Sequence, residues 1–418
     1  MILTGRHVLL AALALAIGLF AVHAFGALQY PLGSDPSLFQ YHAWAMTQGV
    51  MPYRDSFEFN TPGILLWHAG LTAVFGFGDA AFIGVALVIG ALCLGGAALW
   101  LRGRASGEGT AVWLLAGLVG FLAISPWDRG QRELFQGAFV ALAFWAGQRA
   151  LEGPRRGAWS LLAGLLAGIA VSLKWPLLLV LWGIWVLWLV FAVRAGRGSL
   201  GLVVPSLFGF LLPNVGWLAW LVGNDAFEAF ALIQRTVLPV HLEALTASWS
   251  DVVFARWPLV FGALSTVSLV LANRPSVREG ARSAPVLLVC SAFVFGSLAL
   301  YLIQRKGWSY HLHLALPFVA PLVALAFDRL LAGRSAVWVA AALGVAAVAQ
   351  AGASVAYDQS AAGLVRAHHV DRHWNHDAMV AVAAMIATGD ASDTVQTNDD
   401  ELQLLLMARR RAASPFVY

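Results

Sequence analysis

The sequence predicts an all-α polytopic membrane protein with about 11 transmembrane helices. Composition is the first reason: 60% of the 418 residues are hydrophobic and 11% are charged, against about 45–50% and about 25% in soluble domains. A soluble chain of this length would need a polar exterior that 22 acidic and 26 basic residues do not supply. The second reason is that long apolar runs recur near the length of about 20 residues that a crossing requires. The third is that arginines gather in every second loop.

The first apolar run, 8–28, has a basic start and a small-residue site in "VHA" that imitate a secretory signal. It reads as a retained helix, because the loop charges alternate correctly only if it stays. Further runs fall at 79–101, 110–126, 133–150, 158–173, 176–193, 200–222, 257–273, 285–303, 312–330 and 336–356. The stretch 158–192 would be roughly 50 Å long as one helix, too long for an apolar layer of about 30 Å. Lys174 and Pro176 mark its reversal into two crossings.

With the N-terminus inside, one set of loops holds Arg102, Arg104, Arg149, Arg155, Arg156, Arg194, Arg197, Arg274, Arg278, Arg282, Arg329 and Arg334. By the positive-inside rule this side is cytoplasmic. The opposite loops mix acids, aromatics, histidines and single bases: "GSDPSLFQYHAWAMTQGVMPYRDSFEFNTPG", "SPWDRGQRELF", "SLKWP", the long stretch after Gly223, and "IQRKGWSYHLH". Polar groups at a membrane boundary that topology does not explain are candidates for function.

Two short helices are expected in the first outer loop. Residues 36–48 suit a helix lying at the interface, with Pro36 in its first turn, Gly49 just past its end and Asp35 at its N-cap. A second, interfacial or partly inserted, begins at Pro62. The chain then divides into a transmembrane domain, 1–356, and a polar outer segment, 357–418. In that segment "DTVQT" reads as a strand and "DDELQLLLMARRR" as a helix, a short α/β tail like a βα unit cut short.

The formal charge of +4 and the pI near 9.3 come from short basic loops and imply no nucleic acid. Cys93 and Cys290 lie within apolar runs, so neither disulfide nor metal is expected from them. His369, His373 and His376 share a helical face at a spacing that can bind zinc, but a solvated linker explains them as well. No cofactor is assigned, and a divalent cation is left open.

The outer loops carry a more specific signal. Asp35 followed by "PYRDSFEFNTPG", then "WDRGQREL", then "GLLAGIAVSLKWP", then "QRKGWSYHLHLALP" occur in order and on one expected side. Together they resemble the outer motifs of GT-C superfamily membrane glycosyltransferases, in the branch of protein O-mannosyltransferases, lipid A aminoarabinose transferases and rhizobial galacturonosyltransferases. The resemblance covers most of residues 1–330. It implies an inverting transfer of a sugar from a polyprenyl-phosphate donor to a lipid, glycan or protein acceptor, on the periplasmic face of a bacterial inner membrane. The chain departs from many lipid-A-modifying relatives at Asn60, Thr61 and Pro62, where they carry a lysine before paired prolines.

That chemistry suits the residues present. Breaking a sugar–phosphate bond releases a stable anion, so one base and one cationic clamp suffice, without the acid of a carboxylate pair. By position Asp35 matches the first-loop acid of the superfamily and is assigned as general base. Arg54, Asp55 and Glu58 fall in the same loop, to bind sugar hydroxyls or the acceptor or to organise Asp35. Arg132 and Glu133 belong to the second motif. Lys174, Arg305 and Lys306 are the cation candidates for the leaving phosphate, with Tyr310 and His311 beside the last two. Lys174 also fits a base snorkelling from a helix end, and Arg305 with Lys306 also fits a headgroup-binding aromatic belt. The alternatives are a non-catalytic GT-C-like protein and a lipid or sugar flippase. A flippase predicts charge in mid-helix, whereas charge here lies in loops.

Overall fold

The structure, a computed structural model, describes residues 5–28, 32–101, 110, 114, 130–194, 200–244, 246–253, 280–306, 309–319, 321–322, 376–390, 394–395, 409 and 411–412. The crossings expected at 257–273 and 336–356, nearly all of that at 110–126 and the end of that at 312–330 lie outside these residues. So do Trp308, His369 and His373.

The described chain is built of helices, as expected where a backbone in lipid must satisfy its own polar groups. In order they are α1 (Gly5–Ala27), α2 (Ser34–Thr47), α3 (Pro62–Phe75), α4 (Asp79–Leu101), α5 (Arg132–Glu152), α6 (Arg156–Leu173), α7 (Leu177–Arg194), α8 (Leu200–Gly223), α9 (Phe227–Ala244), α10 (Trp249–Val253) and α11 (Gly280–Gln304). A 3₁₀ turn, Ser309–Ala315, follows, and α12 (His376–Ala387) lies in the tail. Among the described residues, α6 and α8 are each long and apolar enough to cross a membrane. A third candidate is the pair of α3 and the first part of α4, bent by 111° at the break between them. Leu179 on α7 and Leu200 on α8 are 71% and 78% exposed, a surface suited to lipid rather than water.

α6 and α8 make the most extensive helix contact. Their small residues set it: Gly164 and Gly168 of α6 lie against the α8 backbone, and Gly209 of α8 lies against Leu161, the small-residue packing that substitutes for a hydrophobic drive in lipid. Pro213 interrupts the α8 ladder. The Asn214 amide donates to the Phe210 carbonyl at 2.8 Å and to the Gly168 carbonyl of α6 at 3.3 Å, cross-linking the pair.

The first loop forms both expected helices. α2 ends where the chain turns at Gly49, whose φ of 80° favours glycine. The start of α3 is pinned on the end of α6. A Cβ on Gly63 would lie 2.2 Å from the Ser172 carbonyl oxygen, and the Thr61 hydroxyl donates to the Leu173 carbonyl at 2.7 Å. This close approach seats the loop on the residue after α6, which is Lys174.

Two local readings change. Gly33, not Asp35, is the N-cap of α2; Asp35 lies in its first turn with no side-chain cap bond, because its carboxylate is turned to Arg132. The stretch after Gly223, read as a loop, contains α9, whose Phe, Leu, Ala and Val residues sustain a helix despite Pro239. In the tail, Thr394–Val395 pairs in parallel with Arg411–Ala412. Parallel pairing demands a crossover; most of the helix expected over 399–411 lies outside the described residues, and at its end Arg409 is in a turn and Arg411 in the strand instead.

Candidate functional site

Four segments meet at one end of the helices: the first turn of α2, the loop before α3, the first turn of α5, and the residue following α6. The chain after α11 closes over them. Each contributes a polar side chain to a single cluster.

α5 opens with Arg132, Glu133 and, one turn on, Gln136, all buried. Arg132 approaches the Asp35 carboxylate at 3.4 Å, lies 5.1 Å from the centre of the Phe39 ring and donates a short hydrogen bond to the Asn60 side-chain oxygen. Glu133 is ion-paired with Lys174 through a short contact, and the His311 ring nitrogen Nε2 lies 3.7 Å away. The Gln136 amide donates to the Ala170 and Lys174 carbonyls at 2.7 and 3.1 Å, which fixes the turn presenting Lys174. Two salt bridges therefore lie side by side, Asp35 with Arg132 and Glu133 with Lys174.

Asp35 retains access to the outside, its side chain 31% exposed. Burial of its surroundings raises its pKa, Arg132 opposes that, and Glu133 adds to it. A carboxylate with raised proton affinity and an open face is suited to accept a proton. The Lys174 ammonium is pushed down by burial, with Glu133 opposing. Lys306 is pushed down to about 8, first by burial and then by the neighbouring charges of Lys174 and Arg132. His311 is held well below the usual imidazole value by burial and by Lys174. Tyr310 packs edge-on with His311, ring centres 4.6 Å apart.

The expected residues thus divide. Asp35, Arg132, Glu133, Lys174, Lys306, Tyr310 and His311 are gathered in the cluster. Arg305 turns away from Lys306: its guanidinium donates to the Ala247 carbonyl at 3.1 Å and lies 4.5 Å from the Trp249 ring centre. Arg54 and Asp55 pair with each other at 2.8 Å, and Arg54 donates to the Asn224 carbonyl at 3.0 Å, clamping the first loop to the turn between α8 and α9. Glu58 is 0% exposed, 3.4 Å from an equally buried His42. Sequence reasoning overlooked Asn60, Gln136 and His42 as parts of this arrangement. Gln136 had a signal: with Arg132 and Glu133 it makes one polar face at the start of an otherwise apolar helix. Among the described residues, no group of three His, Cys, Asp or Glu side chains is placed to hold a metal ion.

No protein-family model matches the sequence, and no curated protein matches it. Solved structures do. Over 97% of this chain and 86% of the other, the fold superimposes with a TM-score of 0.60 and 16% identity on ArnT from Cupriavidus metallidurans bound to undecaprenyl phosphate. Over 97% of this chain, it superimposes with a TM-score of 0.60 and 15% identity on the Archaeoglobus fulgidus oligosaccharyltransferase in complex with zinc and sulfate. This chain spans 62% of the length of that second protein. At such identities the likeness is one of fold alone.

Proposed function

We propose that the protein is a membrane glycosyltransferase that moves a sugar from a polyprenyl-phosphate carrier to a hydroxyl of a lipid, glycan or protein, with inversion at the anomeric carbon. The observation that carries this reading is the half-open carboxylate of Asp35 set 3.4 Å from Arg132, beside two further cations. Asp35 takes the acceptor proton as the hydroxyl attacks. The sugar–phosphate bond breaks as the new bond forms, and the polyprenyl phosphate leaves with the electron pair. Lys306, with Lys174 and Arg132 behind it, supplies fixed positive charge for that phosphate. ArnT, of the same fold, is known bound to undecaprenyl phosphate, which supports a carrier of this chemical class.

The remainder of the arrangement follows from the loop charges: about eleven crossings, the N-terminus in the cytoplasm of a bacterial cell, the cluster and the 357–418 tail on the periplasmic side, and 1–356 as the transmembrane unit. A cavity of about 320 Å³ lies between α5, α6, α7 and α8, walled by Trp182, Trp185 and Trp188, with Leu178 at the start of α7 among its lining residues. Its apolar walls suit an isoprenoid tail.

The test is transfer by the purified protein from a panel of radiolabelled polyprenyl-phosphate sugars into membrane extract. Lys306 is a cation below about pH 8 and neutral above it. Donor KM is therefore expected to rise as pH passes about 8. In Lys306→Arg, whose charge persists at every working pH, that rise disappears. Transfer from no carrier would remove the proposal. A pH-independent donor KM would remove the role of Lys306.

A further inference from the structure

Glu58 lies too deep to touch a substrate, yet it sits at the centre of a group of buried polar side chains. Its Oε1 accepts from the Asn60 backbone N–H at 2.6 Å and from the Asn60 side-chain amide at 2.8 Å. Its other oxygen faces His42 Nε2 at 3.4 Å, and His42 Nδ1 faces the Ser56 hydroxyl at 3.3 Å. Donation of both Asn60 nitrogens to Glu58 leaves the Asn60 side-chain oxygen aimed at Arg132, which donates to it. The Asn60 carbonyl accepts from the Tyr53 hydroxyl at 2.7 Å. Every polar group of Asn60 is thus engaged, by three partners: Glu58, Arg132 and Tyr53.

We infer that Asn60, oriented by Glu58 and His42, is a positioning residue that holds Arg132 against Asp35 and so sets the proton affinity of the catalytic carboxyl. Arg132 has one flexible side chain and two acceptors. Without the Asn60 oxygen, its guanidinium has no anchor on the loop side, and the 3.4 Å contact with Asp35 is held from Arg132 alone. An opposite charge within reach lowers a carboxyl pKa by about 1–3 units, so a displaced Arg132 is read directly in the titration of Asp35. Glu58 acts on the same group twice: through Asn60 by geometry, and directly as a negative charge that raises its proton affinity. The charged groups facing Asp35 are Arg132 and Glu133 from α5, Lys174 after α6 and Glu58 in the loop, with Lys306 after α11.

This inference rests on Asp35 as the base, and the test separates the two. The infrared carboxyl band of purified protein is titrated with pH, with Asp35→Asn assigning the Asp35 contribution. Asn60→Leu is expected to move the Asp35 midpoint up by about one pH unit or more, the loss of an opposing charge. Glu58→Gln, whose amide oxygen still accepts from Asn60, is expected to move it down, because only the negative charge is lost. Shifts in opposite directions separate positioning from general loosening of the fold. Asn60→Ser replaces Asn60→Leu if the latter does not fold. A midpoint unmoved by either Asn60 variant, or moved the same way by Glu58→Gln, overturns the inference. An Asp35→Asn protein that still transfers sugar removes the base reading and leaves this titration result standing.

Discussion

Asp35→Asn is expected to lower kcat for sugar transfer by about 10²–10⁴-fold, the range over which a positioned general base acts, with donor KM little changed. The substitution is nearly isosteric. Asparagine retains an oxygen to accept from Arg132, so the first turn of α2 and the loop before α3 remain as they are. What is lost is the capacity to take a proton. The raised proton affinity of Asp35 also gives the reaction an acid limb. Below its pKa the carboxyl is already protonated and cannot act, so kcat falls as pH falls, and the limb lies above that of an ordinary aspartate. Steady-state kinetics across pH check both statements. An Asp35→Asn protein with native kcat would show that the proton goes elsewhere.

Glu133→Gln is expected to destabilise the protein by about 3–5 kcal/mol, the cost of leaving the partner of a buried ion pair uncompensated. Lys174 is then enclosed without its ion-pair partner and beside the positive charge of Arg132, which the weaker influence of Asp35 does not offset. The ammonium deprotonates or the turn after α6 opens; either removes positive charge from the cluster. Lys174→Met alone carries a similar cost, because Glu133 loses its ion-pair partner and keeps His311 at 3.7 Å and the more weakly acting Arg132. The double variant Glu133→Gln/Lys174→Met is expected to recover most of the stability, since two matched neutral groups replace two matched charges. Thermal unfolding in detergent of all four proteins gives the coupling. Additive losses would mean that the two charges act independently.

The sequence revealed charge more readily than it revealed partnership. Asp35, Glu133, Lys174 and Lys306 were legible because each stands against an apolar background on one side of the expected membrane. The helices of the first loop were legible from Pro36, Gly49 and Pro62, which act within a few residues of themselves. What was not legible was which acid meets which base. The Asp35–Arg132 pair joins α2 to α5 and the Glu133–Lys174 pair joins α5 to the residue after α6, tertiary contacts without a local signature. Arg305 and Lys306 are adjacent in sequence yet diverge in space, because the chain turns through a φ of 48° at Arg305. Glu58, expected to bind sugar hydroxyls or the acceptor or to organise Asp35, is buried beside His42. Asn60 carries no charge and drew notice only as a departure from relatives, although it sits two residues after Glu58 and just before a helix begun by proline, where asparagine commonly bonds its neighbours.

The claim underlying this account is that one cluster at the end of the helices receives a lipid-borne phosphate. Native mass spectrometry of the purified protein with undecaprenyl phosphate tests it without turnover. One bound lipid is expected, held as well by Asp35→Asn as by the native chain and about tenfold more weakly by Lys306→Ala, the weight of one charge-assisted hydrogen bond. No retained lipid, or retention indifferent to Lys306, would contradict it.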